Sequence, residues 1–197
     1  NGDLRQLRAA FAFSAGLPFP SARPPRHIQL DRVPLPELSV RPVTPLAGPG
    51  DPSLASAAAD RVRELLSGGL VVDHDGNSRP LEPREVAVIT PHVEQASAVA
   101  ARLADLPGVL IGTANQAQGT EREAVVVIHP LAGYREAPAF ATDPGRLCVA
   151  LSRHRAHATI VVDSNTAAIL RHARTVNPND SALAIQRYVL SALLGPS

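Results

Sequence analysis

The sequence predicts an α/β fold in which a parallel sheet is covered by helices on both faces. Two observations carry this. Short apolar runs at Glu85–Thr90, Val109–Ile111, Ala124–His129 and Ala158–Val162 alternate with segments whose apolar residues recur at helical spacing. The runs are also nearly continuous, as in strands buried on both sides, rather than alternating as in strands with one wet face.

The elements follow in order. Leu4, Leu7, Ala10 and Phe11 lie on one face of a helix over Asp3–Phe13, which Gly16 and the prolines from Pro18 to Pro25 end. Arg26–Asp31 reads as a short strand with Ile28 and Leu30 on one side, and the proline-rich stretch Pro34–Pro52 as an irregular surface connection. Residues 1–50 therefore form a lead-in of helix, strand and connection, and residues 51–197 the sheet domain. Asp51 or Ser53 can cap a helix over Asp51–Leu66, whose buried face is Ala55, Ala58, Ala59, Val62, Leu65 and Leu66. Gly68 and Gly69 stop it. Leu70–Pro80 is hairpin-like around Asp75-Gly76. Asp73, His74 and Asp75 read as turn residues and not as a metal shell, because no second ligand cluster stands at a useful spacing.

After the strand at Glu85–Thr90, Val93, Ala96, Val99, Ala100 and Leu103 define a helix over His92–Leu103. Strand Val109–Ile111, the polar segment Thr113–Glu123 and strand Ala124–His129 follow. Leu147, Ala150 and Leu151 then mark one stripe of a short helix, and Arg153, His154 and Arg155 stand between it and the strand Ala158–Val162. Guanidiniums held between two rigid elements can point a fixed, always-charged fork at a phosphate. One or two helices over Thr166–Leu194, broken near Pro178, close the chain. Because ligands gather at the carboxyl ends of parallel strands, Thr90–Gln95, Thr113–Glu121 and the loop before Asp143 are expected to share one rim.

Composition sets outer limits. The 197 residues suffice for one domain with a sizeable core. A single cysteine excludes an internal disulfide and fits a reducing compartment. No apolar run approaches the roughly 18 residues of a membrane span, so a cytoplasmic protein without membrane partners is expected. The net charge of +1 is too small to indicate nucleic acid by itself. There is no methionine, so the chain is expected to be part of a longer one. A hydrolase built on Cys148 finds no support, since no His and acid pair stands at a recognisable spacing.

Three segments are read together: VITPHVEQ (Val88–Gln95), GTANQAQGTERE (Gly112–Glu123) and FATDPGRLCVALSRHR (Phe140–Arg155). In this order and spacing they resemble motifs IV, V and VI of superfamily 1 helicases, closest to the branch containing the nonsense-mediated-decay RNA helicase and its bacterial relatives. The resemblance covers roughly residues 55–165 and implies a RecA-like fold, specifically the second RecA-like domain.

By that resemblance Arg153 matches the arginine finger that reaches across a cleft to the γ-phosphate of ATP. Gln118, Gly119 and Glu121 match a nucleotide-facing QG-x-E, and Arg155 is the second basic position of motif VI. Thr113 matches a contact to the nucleic-acid backbone, and Thr90 with Gln95 a motif on the cleft rim. Departures are Asn115 for the usual Asp, Ala117 for an aromatic, Thr120 for Arg, His92 for Tyr and His154 for a small residue. Gly2–Leu7 resembles motif III, although Ala10–Leu17 looks more like a segment that follows it.

No GxxxxGK[ST] phosphate loop occurs, nor a strand ending in an adjacent acidic pair for magnesium. The resemblance thus implies ATP and Mg2+ for the full-length protein but neither bound by this chain alone. It also implies two partners, the first RecA-like domain and single-stranded DNA or RNA, and no ATPase activity in isolation. With 3% aromatics, few near the motifs, backbone contacts are expected to dominate over base stacking. The competing expectation is a degenerate RecA-like domain serving as a protein-interaction or regulatory module.

Overall fold

The apolar runs form five parallel strands: β3 (Leu38–Val43), β6 (Val86–Thr90), β7 (Leu110–Thr113), β8 (Arg122–Ile128) and β9 (His154–Asp163), in the order β3-β9-β8-β6-β7. They belong to a computed structural model that describes residues 26–176 and 179–194. The helix expected at Asp3–Phe13, the segments Gly2–Leu7 and Ala10–Leu17, and Pro178 lie outside the described residues.

Strand pleating sends alternate side chains to opposite faces. Ala87, Ile89, Val125, Val127, Ala158 and Ile160 join one core, against α4 (Pro144–Leu151), α5 (Thr166–Val176) and α6 (Ser181–Leu194). Val86, Val88, Ala124, Val126 and Val161 join the other, under α1 (Pro52–Gly68) and α2 (Val93–Arg102). A short helix, α3 (Ala139–Thr142), precedes α4. The sheet is therefore covered on both faces, as expected for a RecA-like α/β fold. No helix among the described residues is long and apolar enough to cross a membrane.

Local signals placed several elements as read. Asp51 caps α1, its Oδ1 accepting from Ser53 N at 2.8 Å. Its Oδ2 also accepts from the Leu46 and Ala47 amides at 2.7 and 2.8 Å. The hairpin at Leu70–Pro80 is present as antiparallel β4 (Leu70–Val72) and β5 (Ser78–Pro80), with Gly76 at φ +84°.

The reading of Pro34–Pro52 as wholly irregular is corrected. Leu38–Val43 is β3, paired in parallel with β9 from Leu38↔Ala158 to Val43↔Asp163. Its prolines disguise it, but an edge strand has one neighbour only and tolerates the missing N–H of Pro42. A second sheet, β2-β1-β4-β5, is antiparallel, with β1 at His27–Leu30 and β2 at Val33–Pro34. Ile28, Val71 and Leu81 attach it to the core beneath α1.

Candidate functional site

Strand directions divide the predicted site residues into two groups. Thr90 and Thr113 end β6 and β7 at the carboxyl edge of the sheet, with Gln95 just beyond on α2. Gln118, Gly119 and Glu121 precede β8, while Arg153 and Arg155 stand at the start of β9, at the amino edge. The six steps of β8 separate these edges by about 20 Å. A single shared rim is thus overturned: the segment 114–121 leaves β7 at the carboxyl edge and returns along the sheet before β8 begins. Ala117 buries on the way, packed with the core that holds Leu147 and Leu151. The absent aromatic at this position is therefore a matter of packing.

At the amino edge, α4 ends and β9 begins within three residues. The Arg153 carbonyl accepts from Arg122 N at 3.0 Å, which ties the turn to β8. The half-buried Arg153 side chain donates from Nε to Val149 O at 3.1 Å and from Nη2 to Ser152 Oγ at 2.9 Å. Among the described residues it forms no ion pair. Arg155 differs: its Nε lies 3.2 Å from Glu121 Oε2 and its Nη1 3.8 Å from Glu123 Oε1. Between Arg122 and Ala124 on β8, β9 advances from His154 to His157, so one extra residue bulges out of β9. Such a bulge re-aims a side chain at a strand's end.

Gly119 has φ +78° and open space where a Cβ would stand, while Gln118 beside it is exposed. Glu123, which the sequence reading did not single out, proves central. It is only 4% exposed, and Arg26 Nη1 reaches its Oε1 at 2.9 Å and Arg79 Nη2 at 4.0 Å. Its Oε2 is buried without a hydrogen-bond partner among the described residues. Arg26 and Arg79 come from the antiparallel sheet, so no local pattern could announce this cluster. Cys148, half-buried on α4, has its thiol pushed up by burial, against the opposing charge of Arg153.

At the carboxyl edge, Thr90 is buried and donates from its hydroxyl to His92 O at 2.8 Å. Gln95 is buried and donates from Nε2 to Pro49 O at 2.6 Å, fastening α2 to the loop after β3. Thr113 is half-buried; its amide donates to Gln116 Oε1 at 2.8 Å. In this conformation Thr90 and Gln95 shape the edge from inside, and Thr113 stands nearer its surface. Asp73, His74 and Asp75 do bring ligand atoms together. The Asp73 carboxylate, however, accepts from the Asp75 and Asn77 amides and the Asn77 side chain, which accounts for the cluster as a turn.

Among the described residues the amino edge therefore offers two arginines without a carboxylate partner, Arg153 and Arg122, a permissive glycine and a network of paired charges. A family model described as an AAA domain matches residues 55–165, more than half the chain. No curated protein matches it.

Proposed function

Because the chain belongs to the AAA domain family, found in C-terminal domains of superfamily 1 helicases, we propose that it is the second RecA-like half of an ATP-dependent helicase or translocase. The observation that carries this reading is the contrast between two neighbouring arginines. Arg155 is held by Glu121 and Glu123, whereas Arg153 bonds only to its own helix end among the described residues. A guanidinium presented this way keeps its charge for a ligand outside the domain. In the proposed mechanism it meets the γ-phosphate of an ATP held by the first RecA-like domain and stabilises charge developing during transfer.

Gln118 and Gly119 would lie against the same nucleotide, the glycine allowing close backbone approach. Glu121 would face the nucleotide while Arg155 fixes its position. Glu121 and Glu123 are both occupied by guanidiniums here, so the ligands for Mg2+ are assigned to the first domain. At the opposite edge, Thr113 would meet the backbone of a single strand, supported from within by Thr90 and Gln95. Closure of the two domains on ATP and their opening after hydrolysis would then move the strand.

The test is hydrolysis of ATP by the full-length protein, with and without single-stranded DNA or RNA, for the parent and Arg153→Ala. A parent that never hydrolyses ATP would support the interaction-module reading in its place.

A further inference from the structure

The carboxyl edge carries a cluster of rings, drawn from the segments read as motifs IV and VI and from Tyr134 between them, to which no role has yet been given. Tyr134 and Phe140 are far apart in sequence from His92, yet both rings close around it. The His92 and Phe140 centroids lie 5.1 Å apart at 34°, and those of His92 and Tyr134 5.9 Å apart at 44°. The Tyr134 hydroxyl lies 2.9 Å from His92 Nε2 and fixes the imidazole. Arg146, in the first turns of α4, places its Cζ 4.5 Å over the Phe140 ring.

Phe140 thus packs against His92 and also carries the Arg146 guanidinium over its ring. Arg146 is 39% exposed at the side chain, and its nearest carboxylate among the described residues is Asp143 at 3.8 Å. Its buried Nε has no hydrogen-bond partner among the described residues. Val93, next to His92, leaves 60% of its surface exposed.

We propose that Arg146, supported by Phe140, His92 and Tyr134, is a stacking platform for an unpaired nucleobase of a single strand crossing the carboxyl edge. A planar guanidinium on an aromatic ring has a flat face for a base. The adenine of ATP is the other source of a base, but the proposed nucleotide residues lie about 20 Å away at the far end of β8. Burial, together with the charge of Arg146 and against that of Glu94, holds His92 below its ordinary pKa. The imidazole therefore stays neutral beside the guanidinium near pH 7. Tertiary packing assembles the platform, which is how a chain poor in aromatics can add base stacking to backbone contacts.

The inference rests on the nucleic-acid-binding part of the proposed function. It is tested by fluorescence anisotropy with a labelled 15-nucleotide oligo(dT) and an abasic oligonucleotide of equal length. Arg146→Lys keeps the charge and removes the plane; Phe140→Leu keeps the apolar bulk and removes the ring. Each is expected to weaken oligo(dT) binding about five- to a hundredfold. Abasic binding, the salt dependence and the affinity for ATP should stay unchanged. Variants that bind oligo(dT) as the parent does, or lose both oligonucleotides equally, would overturn the platform and leave nucleic-acid binding standing. A loss of ATP affinity alone would reassign the stack to the nucleotide base. If the parent binds neither oligonucleotide, the nucleic-acid reading itself falls. Should Phe140→Leu fail to fold, the half-exposed Arg146→Lys decides the matter.

Discussion

Replacing Gly133 by alanine should damage the fold far more than replacing Gly48, although their backbones are nearly alike. Both residues are left-handed, at φ +83° and +86°, so the added Cβ costs about 1–2 kcal/mol at either position. The surroundings differ. At Gly48 the nearest atom to a Cβ would be Gly133 O at 3.8 Å, an ordinary contact. At Gly133 the Cβ would stand 2.3 Å from Gly48 O, and must retreat by roughly 1 Å before ordinary contact is restored.

That retreat pulls on two hydrogen bonds, Gly133 N to Asp163 Oδ2 and Asp51 N to Gly48 O, each 3.0 Å. The first ends on a carboxylate, where such bonds are worth about 1.5–3 kcal/mol. The sum for Gly133→Ala is therefore about 4 kcal/mol, against about 1.5 for Gly48→Ala. Urea unfolding followed by far-UV circular dichroism measures both. Losses equal within about 0.5 kcal/mol would refute the close approach of these two loops, and with it the anchoring of the carboxyl edge.

Further outcomes follow from buried charge. Glu123→Ala leaves Arg26 without its carboxylate among the described residues, while Arg79 keeps Glu85 and Arg155 keeps Glu121, and should cost about 1–2 kcal/mol in urea unfolding; no change would mean that solvent already screens the cluster. His129 and His157 are both pushed down to about 4, by burial in each case; at His157 a hydrogen bond with Pro36 O opposes the shift and the charge of Arg61 adds to it. The unfolded chain therefore holds more protons than the folded one between pH 4 and 6.5. Stability should be full above about pH 6.5 and fall as pH drops towards 4, by roughly 3 kcal/mol for each histidine. Chemical denaturation across that window checks the slope, which a His129→Gln/His157→Gln double variant should flatten.

Much of this architecture was legible because its signals are local. The carboxylate of Asp51 before an apolar stripe, Asp75-Gly76 between two short strands, and the continuous apolar run at Val86–Thr90 all act through neighbouring residues. β3 was not legible, since Pro42 hides a strand that only an edge position permits. Nor was the separation of the two groups of site residues. Reading Thr113 to Glu121 as one loop gives no hint that Ala117 pins its middle to the core and carries Glu121 to the other edge. The family resemblance separates Arg153 from Arg155, but nothing in their residue chemistry does. Only the fold supplies Glu121 and Glu123 to hold one of them, and Arg26 and Arg79 from a separate sheet to complete the cluster. The rings around His92 were invisible for the same reason.

The arginine contrast at the start of β9 is tested most directly by ATP turnover of the full-length protein carrying Arg153→Ala, with nucleotide affinity measured alongside. The account predicts a loss of about two or more orders of magnitude in kcat, with folding and ATP binding retained. A variant that turns over ATP at the parent's rate would contradict it.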